Sequence, residues 1–138
     1  MEIVEKTFEA TVNNLHPVLD LIESQLESHG ASMKMINVIN VAAEEMYANV
    51  AMYAYADKPA PGNCTISIWF DDDVVNIKFV DTGIEFNPLA KADPDIHATV
   101  EERGIGGLGI YMVKETMDDC IYDRVDGKNI FIMRKAIK

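Results

Sequence analysis

A chain of 138 residues, 49% hydrophobic and 25% charged, has room for one domain with a sizeable core. No apolar run is long enough for a bilayer-spanning helix, and MEIVEKTFEATV at the start lacks the basic residues and apolar block of a secretory signal, so a cytoplasmic protein is expected. The formal net charge of −11 argues against direct nucleic-acid binding and against an anionic membrane surface, both of which need clustered cations.

Residues 2–12 read as a strand, on the strength of Thr7, Phe8, Thr11 and Val12. Asn13-Asn14 starts a helix whose apolar positions Leu15, Val18, Leu19, Ile22 and Leu26 recur at helical spacing, and His29-Gly30 stops it. Ser32 is the N-cap of a longer helix reaching about Tyr55, with an apolar stripe of Met35, Ile39, Ala42, Ala43, Met46 and Val50. Lys58-Pro59-Ala60-Pro61-Gly62 is a loop. Residues 63–70 and 74–80 alternate as paired strands around Asp71-Asp72-Asp73, a run that reads as a solvated hairpin turn rather than a metal site.

Residues 82–103 carry no periodicity, and a segment of that length in a compact domain is characteristic of a lid or binding loop. A helix follows over about 107–118. Cys120–Arg124 and Asn129–Lys135 then form a second hairpin, turned at Asp126-Gly127. Hairpins predominate, which implies an α+β two-layer sandwich: a mixed, mostly antiparallel sheet with helices on one face. Cys64 and Cys120 have no redox or metal spacing and read as reduced thiols. His16, His29 and His97 show no ligand pattern.

Three stretches carry chemistry. On the second helix, Glu45 and Asn49 are four apart and share a face at the border of the apolar stripe. There they could line a cleft; equally, they read as a solvated Glu and a locally bonded Asn. Asp81-Thr82-Gly83 ends a strand with an acceptor able to read a base amine, and equally reads as a strand-ending turn. Gly104, Gly106, Gly107 and Gly109 precede a helix in a G-x-G-x-x-G string, a pattern that suits close backbone approach to phosphate. It also suits a plain turn before a packed helix. The string comes late, after a long loop, which rules out a Rossmann unit. No Gly-Lys-Ser/Thr follows it, which rules out a Walker loop.

In this order, Glu-x-x-x-Asn on a helix, Asp-x-Gly after a strand, a lid, and glycines opening a helix, the chain resembles the GHKL ATPase superfamily with its Bergerat ATP-binding fold. Within it the chain looks most like the small anti-sigma-factor serine/threonine-protein kinases of bacteria, a likeness covering essentially all of residues 1–138. The resemblance implies one histidine-kinase-like ATPase domain with an ATP lid at about 84–103, and ATP and Mg²⁺ as cofactors. It implies Asn49 as metal ligand, Glu45 as general base, and Asp81 as acceptor of the adenine amine with Gly83 giving the ring access. Gly104, Gly106, Gly107, Leu108 and Gly109 would wrap the phosphates, and Arg103 would meet the terminal one. The implied partners are an anti-anti-sigma (STAS-type) protein and a sigma factor, with a homodimer expected.

Two positions depart from the family pattern. Tyr53 stands where relatives usually carry histidine, and Lys128-Asn129 stands where a threonine often faces the nucleotide. Asn129 can donate and accept, so binding is expected to survive. The competing functional reading is a non-catalytic, ATP-responsive binding module that sequesters a regulatory protein. A third is a bare α+β scaffold whose motif matches are accidental.

Overall fold

The computed structural model describes residues 2–90 and 107–138. Strand β1 (Val4–Glu9) is shorter than the predicted span. The chain turns in at Ala10, which is buried and donates its N–H to the Gly62 carbonyl at 2.8 Å. A 3-10 turn at Val12–Asn14 leads into α1 (Leu15–Ser28), which buries Val18, Ile22 and Leu26 at four-residue intervals. Its C-terminus is closed by Gly30 at φ +78°, with Ala31 N–H reaching Leu26 O at 3.0 Å and Gly30 N–H reaching Glu27 O at 3.1 Å. That pair of bonds is the Schellman arrangement, which needs the left-handed residue glycine supplies.

Helix α2 (Met33–Asn49) starts where expected: Ser32 Oγ accepts from Met35 N–H at 3.2 Å. Its buried face is Ile36, Ile39, Ala42, Ala43, Met46 and Tyr47. The expected stripe is thus displaced toward Ile36 and Tyr47, and Met35 is only half-buried. The helix does not run on as α to Tyr55; Val50–Ala54 form a π turn.

Strands β2 (Asn63–Asp71) and β3 (Val74–Asp81) form the first hairpin, with Asp72 in the left-handed region at φ +53°. After α3 (Gly107–Thr116), β4 (Asp119–Val125) and β5 (Lys128–Ala136) form the second, turned at Asp126 and Gly127 with φ +50° and +77°. Two consecutive positive φ values are the signature of a type I′ turn, which matches strand twist. The sheet order is β1-β2-β3-β5-β4 and every pairing is antiparallel. The fold is therefore α+β as expected, with no parallel pair among the described strands.

The register explains where the site lies. Side chains alternate with period two, so rows of cross-strand partners share a face. One row is Ile68, Ile77, Met133 and Cys120; the next is Ile66, Phe79, Phe131 and Tyr122. These belong to the core packed against α1, α2 and the residues Val113 and Met117. The following row on the same face is Cys64, Asp81, Asn129 and Arg124. The core face thus ends in a polar row at one end of the sheet.

Tyr47 joins this core to the entry of the chain. It is fully buried, and its hydroxyl donates to Thr11 O at 2.7 Å and to Glu9 O at 3.1 Å. Burial raises its pKa, with the Thr11 bond opposing that shift. Tyr47→Phe keeps the ring and removes the link to β1, while Glu9 O retains Thr11 N–H and Asn14 Nδ2 and Thr11 O retains Asn14 N–H. It is expected to cost about 0.5–1.5 kcal/mol of stability, read as a lower urea midpoint with an unchanged slope. An unchanged midpoint would mean that this bond does not fasten β1 to α2.

Candidate functional site

Beyond the aromatic row of the sheet lies a cavity of about 280 Å³. Phe79, Phe131, Met46 and Val50 give it apolar walls, and Asn49, Tyr53, Asp81, Tyr122 and Asn129 also line it. A mostly apolar pocket with a few convergent polar groups is the usual form of a small-molecule site.

Asp81, the last residue of β3, is buried. Its Oδ1 accepts from Gly83 N–H and from Asn129 Nδ2, each at 2.9 Å. Oδ2 carries no hydrogen bond among the described residues, leaving one acceptor for a ligand that presents a donor. Gly83 is needed for a reason beyond ring access. A Cβ there would stand 2.1 Å from the Ala54 carbonyl oxygen, the atom that accepts from Ile84 N–H at 2.8 Å. The end of the π turn and the exit of β3 therefore touch backbone to backbone.

Asn49 is half-buried at the end of α2, and its Nδ2 donates back to Glu45 O at 2.8 Å. The carboxamide is thereby oriented with Oδ1 unengaged among the described residues, the kind of hard oxygen that suits Mg²⁺. No group of three His, Cys, Asp or Glu able to hold a metal occurs among the described residues. A divalent ion at Asn49 would have to draw its other ligands from water and from a bound anion, which is how Mg²⁺ is commonly held beside phosphates.

Glu45, one turn earlier, is half-buried against α3. A Cβ on Gly109 would stand 2.0 Å from Glu45 Oε2. The structure thus brings together Glu45 of the first stretch and Gly109 of the third, 64 residues apart in the chain. Gly107, Leu108 and Gly109 open α3, so their amide groups belong to a helix N-terminus, where the donors have no intrahelical partner. Arg103, Gly104, Gly106 and residues 91–103 of the expected lid lie outside the described residues. The beginning of that lid, residues 84–90, has no helix or strand.

Tyr55, Arg124 and Tyr122 carried no signal in the sequence reading. Tyr55 is buried; its hydroxyl donates to Asn63 O and accepts from Thr82 N–H at 2.9 Å, fixing the residue after Asp81. Gly62 lies under its ring, so close that a Cβ would overlap Cε1; a glycine ending a proline-rich loop was the one hint. Arg124 Nη1 donates to Gly83 O at 3.0 Å. Tyr122 donates to Asn129 Oδ1 at 2.6 Å. Burial raises the Tyr122 pKa; Arg124 opposes that shift, and Glu85 and Asp81 add to it. Tyr53, in the position that departs from the family pattern, is exposed at the cavity edge.

Cys64, beside Asp81 in the polar row, is fully buried, and its pKa is pushed up to about 12 by burial and then by the Asp81 carboxylate. Cys120 is pushed up to about 11, again first by burial. Both thiols are free, as expected, and at neutral pH both are protonated and poor nucleophiles. Alkylation of the native protein at pH 8 is expected to be far slower than alkylation after unfolding. The unfolded chain releases these protons at lower pH than the native one, so their contribution to stability falls as pH rises above about 9. Equal native and unfolded labelling rates, measured by mass, would contradict this.

A family model described as the histidine kinase-like ATPase domain matches residues 8–135. Serine-protein kinase RsbW of Bacillus mycoides (strain KBAB4) is 31% identical over 104 residues, covering 72% of this chain and 63% of that protein. The RsbW of Bacillus cereus (strain B4264) is 32% identical over 107 residues, covering 75% of this chain and 65% of that protein. The match thus spans slightly less than two thirds of the length of these relatives. Among solved structures, the RsbU and RsbW domains of Rv1364c from Mycobacterium tuberculosis share the fold, with a TM-score of 0.67 at 17% identity. That likeness covers 99% of this chain and 33% of the other. No helix among the described residues is long and apolar enough to cross a membrane. With the family model spanning all but the ends, this chain belongs to the histidine kinase-like ATPase domain family.

Proposed function

We propose that the chain is an ATP-dependent serine/threonine-protein kinase of the anti-sigma-factor type. In this reading it binds Mg-ATP, phosphorylates an anti-anti-sigma (STAS-type) partner and holds a sigma factor. The observation that carries the proposal is the approach of the Glu45 carboxylate to Gly109 at the start of α3. It puts a candidate base beside a helix N-terminus suited to phosphate, with Asn49 one turn along α2.

In this reading Asp81 Oδ2 accepts the adenine amine while Phe79 and Phe131 flank the ring. Gly104, Gly106, Gly107, Leu108 and Gly109 hold the phosphates through backbone N–H groups. Arg103 meets the charge that spreads over the terminal oxygens in the transition state. Asn49 Oδ1 is the protein's ligand to Mg²⁺, which when bound neutralises phosphate charge. Glu45 takes the proton of the attacking Ser or Thr hydroxyl, and a base so placed contributes about 10²–10⁴-fold to rate. The acidic chain, at net charge −11, suits a partner with a basic patch, because complementary charge speeds encounter.

The first test is calorimetric titration of ATP with and without Mg²⁺. The wild type is expected to bind in a magnesium-dependent manner, and Asn49→Ala to lose that dependence. No binding by the wild type would overturn the nucleotide reading altogether.

The second test separates base from binding. Glu45→Gln is expected to retain ATP and to lose phosphate transfer to a STAS-type protein by about 10²-fold or more. Gly109→Ala displaces the far end of a flexible side chain, which can swing away, so its melting temperature is expected to hold while transfer falls. Transfer unchanged in Glu45→Gln would remove Glu45 from the mechanism. Nucleotide-dependent partner binding with no transfer by the wild type would favour the non-catalytic module.

A further inference from the structure

Asn129 is the residue at which the departure from the family pattern falls, and its carboxamide is fully committed within the protein. Nδ2 donates to Asp81 Oδ1 at 2.9 Å and to Ile84 O at 2.8 Å. Oδ1 accepts from Tyr122 OH at 2.6 Å and from Phe86 N–H at 3.3 Å. A carboxamide has two donor hydrogens and two acceptor lone pairs, so nothing is left over for a ligand. The expectation that Asn129 itself serves the nucleotide is therefore replaced by a different role.

The orientation of this amide is dictated by backbone groups that cannot exchange roles. Ile84 O can only accept, so it must face the NH₂; Phe86 N–H can only donate, so it must face the oxygen. With the NH₂ fixed, residue 81 must present an acceptor toward it, and Gly83 N–H demands an acceptor at the same atom. From these polarities we infer that Asn129 is a specificity-positioning residue. With Gly83 N–H it holds one oxygen of residue 81, and so sets what the other atom offers the cavity: an acceptor oxygen in the native carboxylate, an NH₂ donor in Asp81→Asn. This rests on the nucleotide reading above and deepens it by naming what selects the base.

The inference makes an unusual demand on Asp81→Asn. The new carboxamide must keep its oxygen on Gly83 N–H and Asn129 Nδ2, so its NH₂ must turn to the cavity in place of Oδ2. A site that took a donor at the purine 6-position then takes an acceptor. Adenine carries an amine there; hypoxanthine carries a carbonyl oxygen.

The experiment is calorimetric titration of ADP and of IDP into three forms of the full chain. The wild type is expected to favour ADP by about ten- to a hundredfold, the range for a hydrogen bond to a charged group. Asp81→Asn is expected to invert the preference and favour IDP by about two- to tenfold. Asp81→Asn with Asn129→Leu is expected to show a smaller inversion, because only Gly83 N–H then orients the amide. General damage to the fold would weaken both nucleotides together and would not reverse their order. Asp81→Asn still favouring ADP, or an inversion undiminished by Asn129→Leu, would overturn the inference. Should the double variant fail to fold, the single variant decides. A wild type that binds neither nucleotide removes the nucleotide reading itself, a result distinct from either of these.

Discussion

The hydrogen bond between Asp81 and Asn129 lies where an apolar core has to meet a polar cavity. Both residues are buried and stand opposite each other on β3 and β5, on the face that carries Phe79 and Phe131 one row further in. A carboxylate there would carry an uncompensated desolvation cost if left alone. Asn129 and Gly83 supply two donors to one of its oxygens. The remaining oxygen stays an acceptor at the edge of an apolar pocket, where a matched donor gains most from the low dielectric. The order of the sheet makes this pairing available: β5 lies between β3 and β4, so the residue after the second hairpin turn comes to rest beside the last residue of the first hairpin.

Helix α2 reaches the cavity from the other side and is constrained at two close approaches. At Gly109 the neighbouring helix has no side chain, and the Glu45 carboxylate occupies that space. At Gly83 the β3 exit passes so near Ala54 that only a hydrogen fits. Between them the helix changes to a π turn at Val50–Ala54. The change leaves the Ala54 carbonyl to accept from Ile84 N–H rather than within a continuing α-helix. Single π turns often mark functional sites, and here the turn joins the helix bearing Glu45 and Asn49 to the segment that Asn129 and Arg124 also hold. Gly83, Ile84 and Phe86 are each tied by a backbone hydrogen bond to β4 or β5 side chains. That wall of the cavity is therefore set by the fold before any ligand arrives.

Local signals made most of the elements readable in the sequence. Ser32 as a cap, Gly30 as a stop, Asp126-Gly127 as a hairpin turn and the alternation through Ile66, Ile68, Val75 and Ile77 each state a short-range preference that the structure keeps. The π turn was not readable, because Val50–Ala54 continue helix-compatible residues and the shift in hydrogen bonding has no residue signature. The face of α2 was legible through Ile39, Ala42, Ala43, Met46 and Val50, but Ile36 and Tyr47 were left off it: the Tyr47 hydroxyl finds two carbonyls near the end of β1 and goes fully inside. Asp81 and Asn129 were each visible, but their pairing depends on β5 inserting beside β3. That is a property of the assembled sheet rather than of either hairpin.

The same distinction separates what a count of donors and acceptors says of Asn129 from what the structure does with it. An asparagine replacing a hydroxyl residue seems a mild change, since both can donate and accept. In the structure the larger amide reaches four partners on three segments and exhausts its capacity on them. What a hydroxyl could have offered to a ligand is spent on fixing Asp81 and the chain from Ile84 to Phe86. In the proposed nucleotide reading, polar recognition of a base from this corner of the cavity falls on one oxygen, Asp81 Oδ2. A carboxylate accepts at either oxygen; Asn129, its own sense fixed by Ile84 O and Phe86 N–H, engages one of them and leaves the other for the cavity.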